Sequence, residues 1–264
     1  MAVLPYPFFY AEMLRGNVDW LGQTFSAVSL RSTHSPNAAH KRLSDVTAAD
    51  RNAHAAVNLA NKTVTIANAA LGADNIAIPS GTGAECGGIL IFRNTGTDTT
   101  STLVCALTGA EYTYTPATSK TLTWFGAILN MSPTGNTYDR GIYGIATGEF
   151  NVLSADLRVQ LIDTADYTFS QSHTSMADVP VAARVGDAVA ISGKLVSDSG
   201  VFSSSVPVNI PNVTGDATEA AIVYLHTGTD STARPLSYHA GAGIELTPNG
   251  QSVDVSAPNG WLSP

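Results

Sequence analysis

Two histidine-aspartate pairs are the residues of this chain whose types and spacing could support acid-base or metal chemistry. His40 precedes Asp45 by five residues, and His173 precedes Asp178 by the same interval. A histidine beside a carboxylate can exchange a proton or help to hold a metal ion. A zinc site needs three or four ligands, whereas each pair supplies two. We therefore expect each pair to bond loop backbone beside a strand, and we predict no catalytic or metal-binding residue.

The cysteines and the glycine-rich segments give no further chemical site. Cys86 and Cys105 lie in or beside two apolar runs, and a hairpin of those runs would place Cys105 opposite a residue near position 90. A disulfide would need a shifted register, so we expect free thiols. The glycine-rich segments 81–83 and 241–243 lack the Lys-Ser/Thr that follows a phosphate loop. We expect turns there and no cofactor.

The composition indicates a protein that assembles with other proteins. Of the 264 residues 44% are hydrophobic and only 13% are charged, about half the usual charged share. Such a surface carries few of the charges that oppose association with other protein molecules, so we expect a homo-oligomer. The net charge of −8 and the absence of a Lys/Arg run argue against nucleic acid. No window approaches the ~18 apolar residues of a membrane span.

An internal repeat is the strongest signal in the sequence. Ile78-Pro79 recurs as Ile210-Pro211, and the Thr-Gly-Thr-Asp of residues 95–98 recurs at 227–230, both at an interval of 132. The His-Asp pairs recur at 133, and Val28 and Leu30 match Val159 and Leu161 at 131. We interpret these matches as an internal duplication of a unit able to fold alone. The predicted organisation is an N-terminal apolar arm (1–15), a first domain (16–131), a linker (132–147) and a second domain (148–264).

Within each copy the residue pattern predicts strands. Alternation marks residues 25–30, 62–66, 75–78, 120–124, 157–161 and 252–256 as strands. Pro79 and Pro211 should each end a strand, and the Thr-Gly-Thr-Asp loops should join two core strands tightly. Helices are predicted only for Tyr10 to Arg15 and Thr47 to Ala56. The predicted fold class is all-β, with two tandem antiparallel β-sandwich domains of the same fold.

Each copy resembles a family of small structural proteins of tailed phages. The resemblance is carried by five segments, which in the first copy are Gly16 to Leu30, His40 to Val46, Lys62 to Thr65, Ile78-Pro79, and Ile89 to Asp98. Family members have a single such domain, so the tandem form is a departure. The second copy also departs where Asp19-Trp20 becomes Asn151-Val152. The resemblance implies a virion component without catalytic activity. Because the apolar N-terminus lacks a basic leader and is interrupted by two prolines, it is a poor signal peptide, and we expect synthesis in the host cytoplasm.

Two functions agree with this resemblance. The first is a capsid decoration or cement protein that binds the major capsid protein or another virion protein on the outer surface of the head, for example as a trimer. The alternative is a module associated with a tail fibre or head fibre that binds a receptor or a glycan. A glycan hydrolase would need paired carboxylates about 5 to 10 Å apart, and no motif nominates them.

The N-terminal arm is the candidate interface. Tyr6, Phe8, Phe9 and Tyr10 place four aromatic rings in one short stretch, and aromatic side chains supply much of the binding energy of protein interfaces. In one interpretation the arm docks on the capsid or on a neighbouring copy of the chain. In the other it folds back as an edge segment and fills the core of its own domain.

Overall fold

The fold of the chain is seen in a computed structural model, which describes residues 2–51, 54–124, 126–131, 136–241 and 244–263. Strands account for 34% of the structure and helices for 12%, and the sheets are antiparallel. The chain is therefore an all-β protein, as the alternating patterns predicted. Neither of the α-helices in the described ranges is long and apolar enough to cross a membrane.

The first half of the chain forms one large sheet and two small ones. Its elements are β1 (Ala2–Pro5), α1 (Pro7–Leu14), β2 (Phe25–Arg31), β3 (Val57–Asn58), β4 (Thr63–Val64), β5 (Ala70–Gly72), β6 (Ile76–Ile78), β7 (Cys86–Arg93), β8 (Leu103–Thr108), β9 (Lys120–Leu122) and β10 (Leu129–Asn130). The large sheet has the strand order β1-β8-β7-β2-β3. The small sheets have the orders β10-β5-β4 and β6-β9.

The second half forms elements that correspond to those of the first, except that isolated bridges at Thr137 and Leu262 stand where the first half has β1 and β10. The elements are α2 (Asp139–Ala146), β11 (Leu157–Ile162), β12 (Arg184–Ala190), β13 (Lys194–Val196), β14 (Phe202–Ser204), β15 (Val208–Ile210), β16 (Ala220–Leu225), β17 (Arg234–Ala240) and β18 (Val253–Val255). The large sheet has the order β12-β11-β16-β17, and the pairs β13-β14 and β15-β18 form two small sheets.

Strand register gives the interval between equivalent residues. Phe25 lies opposite Arg93 in the first half, and Leu157 lies opposite Leu225 in the second, an interval of 132 on both strands. The interval of 131 predicted for this segment was therefore wrong by one residue, and Val28 corresponds to Gln160. The predicted interval aligned Val28 with Val159 because both are apolar. A shift of one residue places such residues on opposite faces of their strands, so similar residue type was not a reliable guide to the register.

The predicted strands are confirmed: β2 and β11 are one residue longer than predicted and the other four are shorter, and Pro79 and Pro211 directly follow β6 and β15. The first predicted helix is confirmed as α1, which begins three residues earlier, at Pro7. The second predicted helix, from Thr47 to Ala56, was wrong for the described part of that segment. Residues 47–50 form a turn and Arg51 bridges to β2, while residues 52 and 53 lie outside the described ranges. Pairing with the sheet thus outweighs the helix propensity of the alanines.

The segment predicted as a linker, 132–147, contains α2, so that prediction was wrong for its described part. α2 follows α1 at an interval of 132, and Thr137 bridges to Ser237 as Pro5 pairs with Cys105. Residues 132–135 lie outside the described ranges. Each half therefore has its own N-terminal segment, and the domain boundary predicted at Gly148 falls after the first helix of the second half.

Two pairs of contacts between the halves are reciprocal. The amide of Trp20 donates to the carbonyl of Ala146 at 3.1 Å, and the equivalent amide of Val152 donates to the carbonyl of Leu14 at 3.0 Å. Gly16 packs against Asn151, and the equivalent Gly148 packs against Asp19. When residue i of one half contacts residue j of the other and the reverse also holds, the two halves are related as in a two-fold dimer. We call this contact region the junction.

One hydrophobic core extends through both halves. Buried side chains of the first half, such as Trp20 and Phe25, belong to the same cluster as Phe202 and Trp261 of the second. A separate smaller cluster covers the other face of each large sheet. Strand β2 is therefore buried along both faces, including its serines. The core therefore continues across the predicted domain boundary, and folding of one repeat unit alone stays a prediction.

Candidate interaction face

The Thr-Gly-Thr-Asp loops share a set of threonine hydrogen bonds in both halves. The hydroxyl oxygens of Thr95 and Thr100 lie 2.5 Å apart, as do those of Thr227 and Thr232. The glycine of each motif has a φ of +82° or +85°, a left-handed conformation that favours glycine. The loops join β7 to β8 and β16 to β17, so the predicted tight connection between core strands is confirmed.

Each loop carries an exposed ion pair that the sequence analysis missed. Arg51 donates to Asp98 at 2.8 Å, and Arg184 donates to Asp230 at 2.7 Å. The aspartate side chains are 52% and 53% exposed, whereas the arginines are mostly covered. The aspartates recur at 132 and the arginines at 133, so comparing the two copies for recurring charges of both signs would have found the pairs.

The two histidine-aspartate segments form capped turns beside these loops. Asp45 Oδ2 accepts hydrogen bonds from the amides of Lys41, at 2.7 Å, and Arg42, at 2.9 Å. Asp178 accepts the two equivalent bonds at 2.8 and 3.0 Å. Each aspartate thereby holds a short 3-10 turn, which agrees with the expected role of bonding loop backbone.

These hydrogen bonds also set the charge state of the aspartates. Burial by itself raises the pKa of Asp45, but the amides of Arg42 and Lys41, together with nearby His40, bring that pKa below its ordinary value. The pKa of Asp178 is lowered by the same balance of causes. Both side chains therefore act as carboxylates that accept amide bonds, rather than as proton carriers.

A serine-histidine contact in the first half is enclosed in the protein. Ser29 Oγ lies 2.6 Å from His54 Nε2 and also bonds the hydroxyl of Tyr114. A nucleophilic serine with a histidine base would have this pairing. Ser29, however, is completely buried, and the equivalent Leu161 is apolar. The contact satisfies buried polar groups of the sheet, and a substrate has no access to the Ser29 hydroxyl.

The candidate arm residues lie inside the chain's own core. Tyr6, Phe8, Phe9 and Tyr10 are between 1% and 8% exposed. Strand β1 pairs with the edge of β8, and Phe9 meets Phe25 edge to face at 6.2 Å. The structure thus corresponds to the second interpretation, in which the arm fills its own domain. A docking surface made of these four rings would have to be pulled out of the core.

The two cysteines are buried, are not joined by a disulfide and lie on neighbouring strands. Cys105 pairs with Ile91 across β7 and β8, close to the predicted position, and Cys86 lies at the start of β7. Burial raises the pKa of the Cys105 thiol to about 12. A protonated and inaccessible thiol is a poor nucleophile.

An aromatic cluster distinguishes the second half from the first. Phe169 stacks on Tyr238 with centroids 4.9 Å apart, and both rings are partly exposed. Beneath them the Tyr138 and Tyr167 hydroxyls lie 2.9 Å apart, and the Tyr167 hydroxyl bonds His173 at 2.8 Å. The long loop between β11 and β12 supplies Phe169, and sequence reasoning missed the cluster because its members are spread over 100 residues.

In the described ranges, no three residues among His, Cys, Asp and Glu are grouped so that they could hold a metal ion. No protein-family model matches the chain, and no curated protein is similar to it. The features that recur in both halves are two polar loops, two capped turns and two exposed ion pairs.

Proposed function

We propose that this chain is a non-enzymatic structural protein of a phage virion, where it decorates the outer surface of the head. The observation that carries the proposal is the repetition of one polar loop and its Arg-Asp ion pair in two halves with reciprocal contacts. A chain built in this way offers similar contact points twice, which suits attachment to a lattice of repeated subunits.

The surface chemistry supports the same role. With 13% charged residues and a net charge of −8, the chain has few charges that oppose protein contact and an unfavourable sign for binding nucleic acid. Partners are proposed to be the major capsid protein or another virion protein. Self-association into a closed oligomer, such as a trimer on a local three-fold axis, fits this arrangement.

One observation favours the alternative of a fibre-associated module that binds a receptor or a glycan. The partly exposed Phe169 and Tyr238 rings stack on each other, and Gln171, in the same loop as Phe169, donates its side-chain amide to Asp139. Aromatic faces and nearby amides are the groups that bind sugar rings and peptide surfaces. This cluster has no aromatic equivalent at Ala106, the first-half position that corresponds to Tyr238.

Copy number on the particle tests the proposal. Quantitative mass spectrometry of purified virions should find on the order of hundreds of copies if the protein decorates the head, because each capsid repeats its binding position. A dozen copies or fewer would support the fibre alternative. Absence from purified particles would contradict both functions.

A further inference from the structure

Two exposed leucines occupy equivalent positions in the two halves. Leu21 is 43% exposed and Leu153 is 39% exposed, and they are 132 residues apart. The other strongly exposed large apolar residues in the described ranges are Ile66, Val181, Leu195 and Val206. None of those four has a large apolar residue at this interval: the counterparts are Asp198, Ala49, Thr63 and Asp74. The leucine pair is thus the apolar surface feature that the two halves share.

Both leucines are presented by turns of the same construction, which we call the junction turns (residues 19–24 and 151–156). In the first, the Asp19 side chain accepts the amide of Leu21 at 2.9 Å, and Lys62 donates to the carbonyl of Gln23 at 2.7 Å. In the second, Asn151 caps the turn and Lys194 donates to the carbonyl of residue 155. The exposed leucines therefore lie on fixed backbone.

The junction turns lie beside the Thr-Gly-Thr-Asp loops. The amide of Asn94 donates to the carbonyl of Thr24 at 2.8 Å, and the equivalent amide of His226 donates to the carbonyl of Asp156 at 2.8 Å. The first residue of each junction turn contacts a glycine of the opposite half. Each junction turn and its neighbouring loop form one hydrogen-bonded unit, and the two units, which the reciprocal contacts of the junction relate to each other, are the candidate surface.

We infer that this surface docks on two identical protein subunits that are themselves related by a two-fold axis. Each subunit would receive one leucine in an apolar recess and present hydrogen-bond donors to Asp98 or Asp230. The surface is continuous with the junction, and a two-fold arrangement of contact points matches a two-fold pair of partners. The inference rests on the proposed function, because the partner pair belongs to the virion.

The two halves differ in net charge, and this difference distinguishes recognition through the leucines from recognition through charge. Residues 1–131 contain eight Lys/Arg and eight Asp/Glu, whereas residues 132–264 contain five and thirteen, so the second half carries the whole net charge of −8. A partner recognised through long-range charge would bind one half in preference. A partner recognised through the leucines would depend on both halves equally.

The experiment uses the full chain and particles of the encoding virus assembled without it. Binding is measured by cosedimentation for the wild type, Leu21→Ser, Leu153→Ser, the double variant and the control Leu195→Ser. Since exposed leucines contribute little to folding, unchanged unfolding midpoints should confirm intact variants. Each single variant should weaken binding by a similar factor, about tenfold or more, because the avidity of two linked sites is lost. The double variant should lose saturable binding, and Leu195→Ser should bind as the wild type does.

The outcomes separate the two claims. No binding of the wild-type protein would overturn the proposed function and this inference with it. Binding that depends on one leucine only, or that is unaffected in the double variant, would overturn the inference while leaving decoration of the head in place. A comparable loss in Leu195→Ser would also overturn it, because that residue lies outside the surface.

Discussion

At the scale of single residues, Asp45 and Asp178 attach a short turn to the neighbouring loop in each half. In the turn held by Asp45, the amide of Leu43 donates a hydrogen bond to the carbonyl of Ser101, at 2.8 Å. The equivalent amide of Met176 donates to the carbonyl of Ala233, at 2.9 Å. A carboxylate that accepts two amide bonds is favoured in its charged form, so these turns should weaken when the carboxylates are protonated.

The pair of substitutions Asp45→Asn and Asp178→Asn should reduce the loss of stability in acid. Folding lowers the pKa of both carboxyls, so their contribution is present above the unfolded value, near 4, and disappears as the pH falls through the folded values. Each carboxylate is exposed, and we expect less than about 1 kcal/mol from each. Urea unfolding at pH 7 and pH 3 measures the difference.

Asp254→Asn is the matched control, because Asp254 accepts a bond from the Asn209 side chain, at 2.7 Å, instead of backbone amides. If the double variant and the wild type lose the same stability between the two pH values, the assigned role of the two carboxylates is wrong.

The spacing of histidine and aspartate was enough to locate Asp45 and Asp178 in the sequence. It did not locate Arg51 and Arg184, because their aspartate partners lie 47 and 46 residues away in the Thr-Gly-Thr-Asp loops.

At the scale of elements, α1 explains why the arm belongs to the core. Seven of its eight residues are buried, and a helix that is apolar on nearly every side needs protein around it. The aromatic residues fit an interface and a core equally well in the sequence, so only the position of their neighbours decides between them. The equivalent helix α2 escaped prediction because its residues, including two glycines, share few side chains with α1.

Phe9→Ala should destabilise the protein by about 3 to 5 kcal/mol, the usual cost of truncating a buried phenylalanine. The ring is 1% exposed and contacts Phe25 in the core that both halves share. Chemical denaturation followed by tryptophan fluorescence gives the free energy of unfolding. A variant with wild-type stability but weakened binding to particles would instead support the docking interpretation of the arm.

At the scale of the whole molecule, the two halves are joined by more than a connecting segment. They share a core, and polar contacts cross the junction where Asp198 accepts from Arg15 at 2.7 Å and from Lys41 at 2.8 Å. The repeat was visible in the sequence because its loops keep their residues at fixed intervals. The junction was invisible there, since a repeat interval carries no information about contacts between the copies.

The full chain should therefore unfold in one cooperative transition, and a junction substitution should destabilise the whole of it. A Cβ atom at Gly16 would lie 2.6 Å from Asn151 Cβ, so Gly16→Ala adds a clash to the cost of a φ of +73°. Gly228→Ala is the control, because its φ is +85° and a Cβ there would meet nothing within 4 Å. We expect about 1 to 2 kcal/mol for the control and more for Gly16→Ala.

Scanning calorimetry provides the measurement. The calorimetric and van't Hoff enthalpies should agree for the wild type and for both variants. Two resolved transitions, with only one of them shifted by Gly16→Ala, would mean that the halves unfold independently despite their common core.

The burial of both native thiols leaves the outer surface free of reactive sulfur in the described ranges. Maleimide reagents attack thiolates, so Cys105, whose pKa is about 12, should remain unmodified while the protein is folded. A single cysteine introduced at an exposed site such as Thr99 or the equivalent Ser231 would then take up one fluorophore or gold particle. Each half could be tagged separately without removing any natural residue from the core, and the orientation of the molecule on its particle could be read directly from images.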